Sequence, residues 1–138
     1  MLLKVVLDTN ALLRCISRRS KYSSVLDKLE SQQFELYVST PILFEYEEKI
    51  SSIFSKDTAE LLLGAFMLLP NVKRTEIHFQ LSLIQTDFDD NKFADCAFAG
   101  NVHYVVTDDK HFNSLSIVDF PKINVLTLED FTMLLEDL

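Results

Sequence analysis

Four acidic side chains in this chain are spaced so that a folded polypeptide could bring them together. Asp8 follows the apolar run L-L-K-V-V-L, and Asp109 closes H-Y-V-V-T-D-D. Glu45 lies one turn into the segment after F-E-L-Y-V, and Asp90 opens N-K-F-A-D-C-A. Carboxylates within a few ångströms of one another repel and raise one another's pKa unless cations neutralise them. Hard oxygen ligands favour Mg2+ or Mn2+ over zinc. Ions held in this way activate a water and stabilise the phosphorus centre of an in-line displacement. The chemistry implied is phosphodiester hydrolysis. Taken singly, each acid also reads as a helix cap or a surface charge. Asp8 and Asp109 at two strand ends, a hundred residues apart, weaken that reading.

The elements that must position these acids alternate along the chain. Leu2 to Leu7 reads as a central strand buried on both faces. Thr9-Asn10 reads as the cap of a helix from Ala11 to about Ser17, and a second helix runs from Ser20–Ser24 to about Ser31. Phe34 to Val38 alternates as a strand, and Ser39-Thr40-Pro41 starts a helix reaching about Phe54. A helix from Lys56 follows, then a brief strand at Val72 to Thr75 and a helix over Glu76 to Gln85. Asp87 to Asp90 cap a helix from Asn91 to about Gly100, with the glycine at a C′ position. His103 to Thr107 is a strand, Lys110 to Leu115 a short helix and Ile123 to Leu126 the last strand. Thr127 with Asp130 resembles a capping box that opens a C-terminal helix. This alternation predicts a single α/β domain over 1–138, three layers deep, with a central parallel sheet of four or five strands. In such folds ligands bind beyond the carboxyl ends of the strands, the edge where all four acids fall.

Composition limits the alternatives. The chain has 138 residues, 48% hydrophobic, with two glycines and three prolines, which disfavours long loops and repeats. The run at Leu61 to Pro70 is about half the ~20 residues of a spanning helix, and the N-terminal run is too short for a signal-peptide core. Cys15 and Cys96 are far apart and read as buried thiols, so a cytoplasmic protein without a membrane anchor is expected. A net charge of −8 argues against gripping nucleic acid through a broadly basic surface. That acidity is either solvating surface or a concentrated cation site.

V-V-L-D-T-N at 5 to 10, I-L-F-E-Y at 42 to 46, D-F-D-D-N-K-F-A-D-C-A at 87 to 97 and Y-V-V-T-D-D-K-H at 104 to 111 together resemble a PIN domain. The branch they resemble holds the toxins of toxin–antitoxin pairs, related to the VapC type, and the likeness spans Leu3 to about Leu128. The resemblance implies acidic metal ligands at Asp8, Glu45, Asp90 and Asp109, with Asn10 as a companion polar position and Thr107 as a hydroxyl beside the site. Asp95 matches an acidic position one turn deeper and is a candidate for a second metal. It further implies an Mg2+- or Mn2+-dependent endoribonuclease that leaves 5′-phosphate and 3′-hydroxyl ends, a cognate antitoxin partner and a homodimer. Asp108 competes with Asp109, and Asp87 and Asp89 compete with Asp90.

The remaining polar residues divide between function and surface. Lys92 suits a substrate phosphate or a solvated helix face. Arg14, Arg18, Arg19 and Lys21 hold four of the 13 basic residues and either steer an RNA backbone or form a solvated run. His111 reads as a surface residue. Two other functional readings compete with the nuclease. One is a catalytically silent PIN-fold module acting through protein partners, although its full acidic set argues against decay. The other is a phosphoryl-handling α/β domain, disfavoured because Asn10 stands where a phosphatase needs a second aspartate and no lysine follows the last strand.

Overall fold

The computed structural model describes residues 2–77, 81–84, 90–117 and 122–138. Asp87 and Asp89 lie outside the described residues. Five parallel strands form one sheet: β1 (Leu3–Leu7), β2 (Phe34–Val38), β3 (Val72–Arg74), β4 (Tyr104–Val106) and β5 (Val125–Leu126). Their order is β3-β2-β1-β4-β5, so the chain turns back on itself between β1 and β4. Helices cover the sheet on both faces, giving a three-layer α/β/α arrangement.

Burial explains which run became the centre. Val5, Val6 and Leu7 are fully buried in succession, as expected of a parallel strand covered on both faces. In β2 the pattern alternates instead, with Phe34, Leu36 and Val38 buried. Phe34 meets Phe131 edge-on, with ring centroids 5.2 Å apart, tying the sheet to helix α6 (Leu128–Glu136). Helices α1 (Thr9–Ile16), α2 (Ser24–Glu30), α3 (Thr40–Ile53), α4 (Lys56–Leu68) and α5 (Asn91–Ala99) complete the set, with a 3-10 helix at Lys110–Ile117. Among the described residues, no helix is long and apolar enough to cross a membrane.

Three local expectations are corrected. The cap of α1 is Asp8 rather than Thr9-Asn10: its backbone is extended (φ −68°, ψ 164°) and its Oδ1 accepts from the Ala11 amide at 2.7 Å. The segment expected as a helix over Glu76 to Gln85 is not helical at its described residues. Side chains of α5 hold its backbone instead. Asn91 brackets Ile84, accepting from its N–H and donating to its carbonyl, both at 2.8 Å. Asp95 accepts from the Leu81 amide at 3.0 Å, and Ser82 takes a positive φ of 53° that breaks a helix.

The third correction concerns Gly100. Its φ is −85°, so it is not the left-handed residue after α5; Asn101, at φ 50°, is. The glycine is needed for space, because a Cβ there would stand 2.5 Å from Cδ2 of Tyr37. Gly100→Ala must therefore displace the Tyr37 ring, and overpacking of this kind costs about 1 to 3 kcal/mol. Urea unfolding should show a lower midpoint with an unchanged slope.

Candidate active site

The register of the sheet assembles the site. Leu7 pairs with Val106, so the next residues, Asp8 and Thr107, emerge side by side at the carboxyl edge between β1 and β4. That gap is where the strand order reverses, the usual crevice of an open α/β sheet. The Asp8 amide donates to the Val106 carbonyl at 3.1 Å, extending the ladder by one bond. Beneath it, the buried Tyr46 hydroxyl of α3 donates to the Leu7 carbonyl at 2.5 Å and fixes the strand end.

From Asp8 a continuous set of contacts runs around the crevice. Its Oδ2 accepts from the Thr107 hydroxyl, and Thr107 Oγ1 in turn accepts from the Asp109 amide at 3.0 Å. Asp109 Oδ1 lies 3.4 Å from His111 Nδ1, and Asp90 Oδ2 lies 3.8 Å from the same nitrogen. Two residues past Asp90, Lys92 Nζ reaches Glu45 Oε1 at 2.8 Å. Glu45 Oε2 accepts from the hydroxyl of Thr9, the neighbour of Asp8. Asp8 is thus joined to Asp109 through Thr107, and Asp109 to Asp90 through His111, while Glu45 is reached only through Thr9 and Lys92, the sequence neighbours of Asp8 and Asp90.

Asp8 is set apart from the other acids of the crevice by burial. It is 4% exposed, and its carboxyl is pushed up to about 6. Burial is the main cause, and the charges of Asp109 and Asp108 add to it; the Thr107 hydroxyl and the Ala11 amide pull the other way. Asp90 stands at the start of α5 without a side-chain cap bond, and its Oδ2 lies 3.8 Å from His111 Nδ1. Asp90, Asp109 and His111 each place one donor atom within 4.8 Å of the others. This donor set, mostly carboxylate oxygen, fits a small divalent cation.

The other candidates separate clearly. Asp108 turns away from that group: Arg14 pairs with its Oδ2, and the Leu128 amide at the start of α6 donates to its Oδ1 at 3.2 Å. Arg14 also lies 4.8 Å from the centre of the Tyr22 ring, on the outer flank of α1. Asp95 stands apart from the Asp90–Asp109 group, its carboxyl raised chiefly by burial and holding Leu81. Asn10 is exposed, whereas Thr9 is buried and touches Glu45. Thr9 is the functional residue that sequence alone does not single out; its signal is a hydroxyl next to the first acid, which a helix cap explains equally well. Arg18, Arg19 and Lys21 are exposed, and Lys21 lies 3.8 Å from Glu129.

The same architecture recurs in solved structures. VapBC2 from Rickettsia felis, bound to a DNA fragment from its promoter, matches at TM-score 0.62 and 19% identity, over 91% of this chain and 98% of that one. DNA-bound VapBC from Salmonella typhimurium matches at TM-score 0.61 and 16% identity, covering 92% and 99%. The PIN domain of T. brucei RRP44 matches at TM-score 0.51 and 14% identity, covering 96% and 80%. No curated protein matches the sequence. A PIN domain family model matches residues 4–111, a span that takes in Asp8, Glu45, Asp90 and Asp109. The chain belongs to the PIN domain family.

Proposed function

We propose that this chain is a divalent-metal-dependent endoribonuclease, the toxin of a toxin–antitoxin pair. The observation that carries the reading is the group formed by Asp90, Asp109 and His111, remote in sequence from Asp8 and joined to it through Thr107. PIN domains are in general nucleases, and the fold neighbours in VapBC complexes support a protein partner that restrains activity. Exposed apolar residues on α3 and α4, among them Phe44, Leu61 and Leu68, offer a face for that partner or for a second copy.

Asp8, Asp90 and Asp109 would hold Mg2+ or Mn2+. When bound, the cation supplies an activated water and neutralises charge developing on the phosphate. Asp8, drawn to Thr107, keeps the Asp109 loop against the end of β1. Glu45 is held from both sides by Thr9 and Lys92, so it faces the crevice in one orientation and can take a proton from the attacking water. Lys92 balances Glu45 and leaves a cationic head near the path of an RNA phosphate.

The test is cleavage of single-stranded RNA by the purified protein. Activity is expected with Mn2+ or Mg2+, none in EDTA, and 5′-phosphate ends on the products. RNA that stays intact with metal present, together with no Mn2+-induced thermal shift, would leave a silent binding module as the reading.

A further inference from the structure

We propose that His111 is a nitrogen ligand of the divalent ion at Asp90 and Asp109, and that it biases this site toward Mn2+ over Mg2+. The inference rests on the metal-dependent reading above and adds a ligand that an all-carboxylate site would lack.

Geometry is the first ground. His111 sits two residues after Asp109 on the first turn of the 3-10 helix, and its amide donates to Asp109 Oδ1 at 2.9 Å. That bond holds the residue against the carboxylate, with Nδ1 3.4 Å from Asp109 Oδ1 and 3.8 Å from Asp90 Oδ2. Both distances exceed the roughly 2.7 to 3.2 Å of a good hydrogen bond to nitrogen. Donors sharing one small ion at about 2.1 Å stand about 3.0 to 3.4 Å apart when adjacent, so the two edges at His111 need only a slight contraction, and the third edge lies within 4.8 Å. The ring is also open to the medium, its side chain 47% exposed, so an ion can enter without displacing the core.

The donor chemistry is the second ground. Asp90 and Asp109 alone present oxygen, which suits Mg2+ and Mn2+ about equally well in kind. An imidazole nitrogen strengthens binding along the order from Mn2+ toward the later transition metals, while Mg2+ gains little from it and keeps its waters. His111 therefore changes which ion is preferred rather than whether one binds.

Calorimetric titration of wild type, His111→Ala and Asp109→Asn with Mn2+ and with Mg2+ tests this, alongside pulsed electron paramagnetic resonance of the Mn2+-loaded proteins. Expected is a Mn2+ affinity about tenfold lower in His111→Ala, with Mg2+ affinity changed less than about threefold. Wild type should show a 14N coupling from a ligated imidazole, and His111→Ala should lack it. Equal Mn2+ affinity and no 14N coupling in wild type, with binding still lost in Asp109→Asn, would overturn the role of His111 and leave the nuclease reading intact. Mn2+ binding unaffected by Asp109→Asn would instead overturn the metal site itself.

Discussion

Asp8→Asn should reduce RNA cleavage by about a thousandfold or more while leaving metal-free protein at neutral pH no less stable than wild type. The loss follows from removing one charge from a site that must hold a dication; a thousandfold is about 4 kcal/mol of transition-state stabilisation. The stability follows from burial. The folded-state pKa of Asp8, about 6, lies above its ordinary 3.8. The folded chain therefore binds this proton more tightly than the unfolded chain, and the resulting stabilisation is fully present below about pH 4. It is lost as the pH rises to about 6, and ionised Asp8 then costs about 3 kcal/mol relative to its protonated form. Asparagine carries no such charge and can still accept from the Ala11 amide. Urea unfolding in EDTA at pH 4.5 and 7.5 reads the difference. The variant should gain on wild type by about 2 kcal/mol between those pH values, whatever fixed cost its weakened hydrogen bonds carry. Mn2+ should restore the balance, raising the melting temperature of wild type and not of the variant. A variant that loses ground on wild type between those pH values would show that burial does not raise the Asp8 carboxyl.

How far the sequence foretold this site depends on the range of the signal. Continuous burial marked β1, and alternation marked β2, because sheet coverage writes itself into composition. Once those strands were parallel, Asp8 and Asp109 had to share an edge, so the crevice was readable from strand ends alone. Contacts between side chains were not. Nothing local says that Thr9, rather than Asn10, faces Glu45, since the choice follows from the rotation of α1 after Asp8 takes the cap. His111 looked like surface, and by exposure it is; only the tight turn after Asp109 brings its ring nitrogen back to two carboxylates. The helix expected over Glu76 to Gln85 and not found at its described residues has the same origin. Asn91 and Asp95 satisfy the backbone at Ile84 and Leu81 from a helix that begins several residues later. A local propensity lost to bonds that the fold supplies.

The adjacent pair Asp108 and Asp109 offers a sharp separation, since the two differ by one position and by nothing in side-chain chemistry. Asp109→Asn should abolish both Mn2+ binding and cleavage, again by about a thousandfold or more in rate. Its carboxylate lies within 4.8 Å of Asp90 and His111, and among the described residues no other acid joins that group. Asp108→Asn should keep Mn2+ affinity and cleavage within about threefold. Asp108 spans β4, α1 and α6 instead, through Arg14 and the Leu128 amide. The ion pair is largely exposed, at 46% and 40%, and contributes little in water, so the loss should be at most about 1 kcal/mol in unfolding free energy. Measuring both variants for Mn2+ affinity and for urea midpoint places each residue on its own axis. The converse result, an inactive Asp108→Asn beside an active Asp109→Asn, would put the cation on the Arg14 side of the crevice. The chain of contacts from Asp8 through Thr107 would then serve the fold and not the reaction.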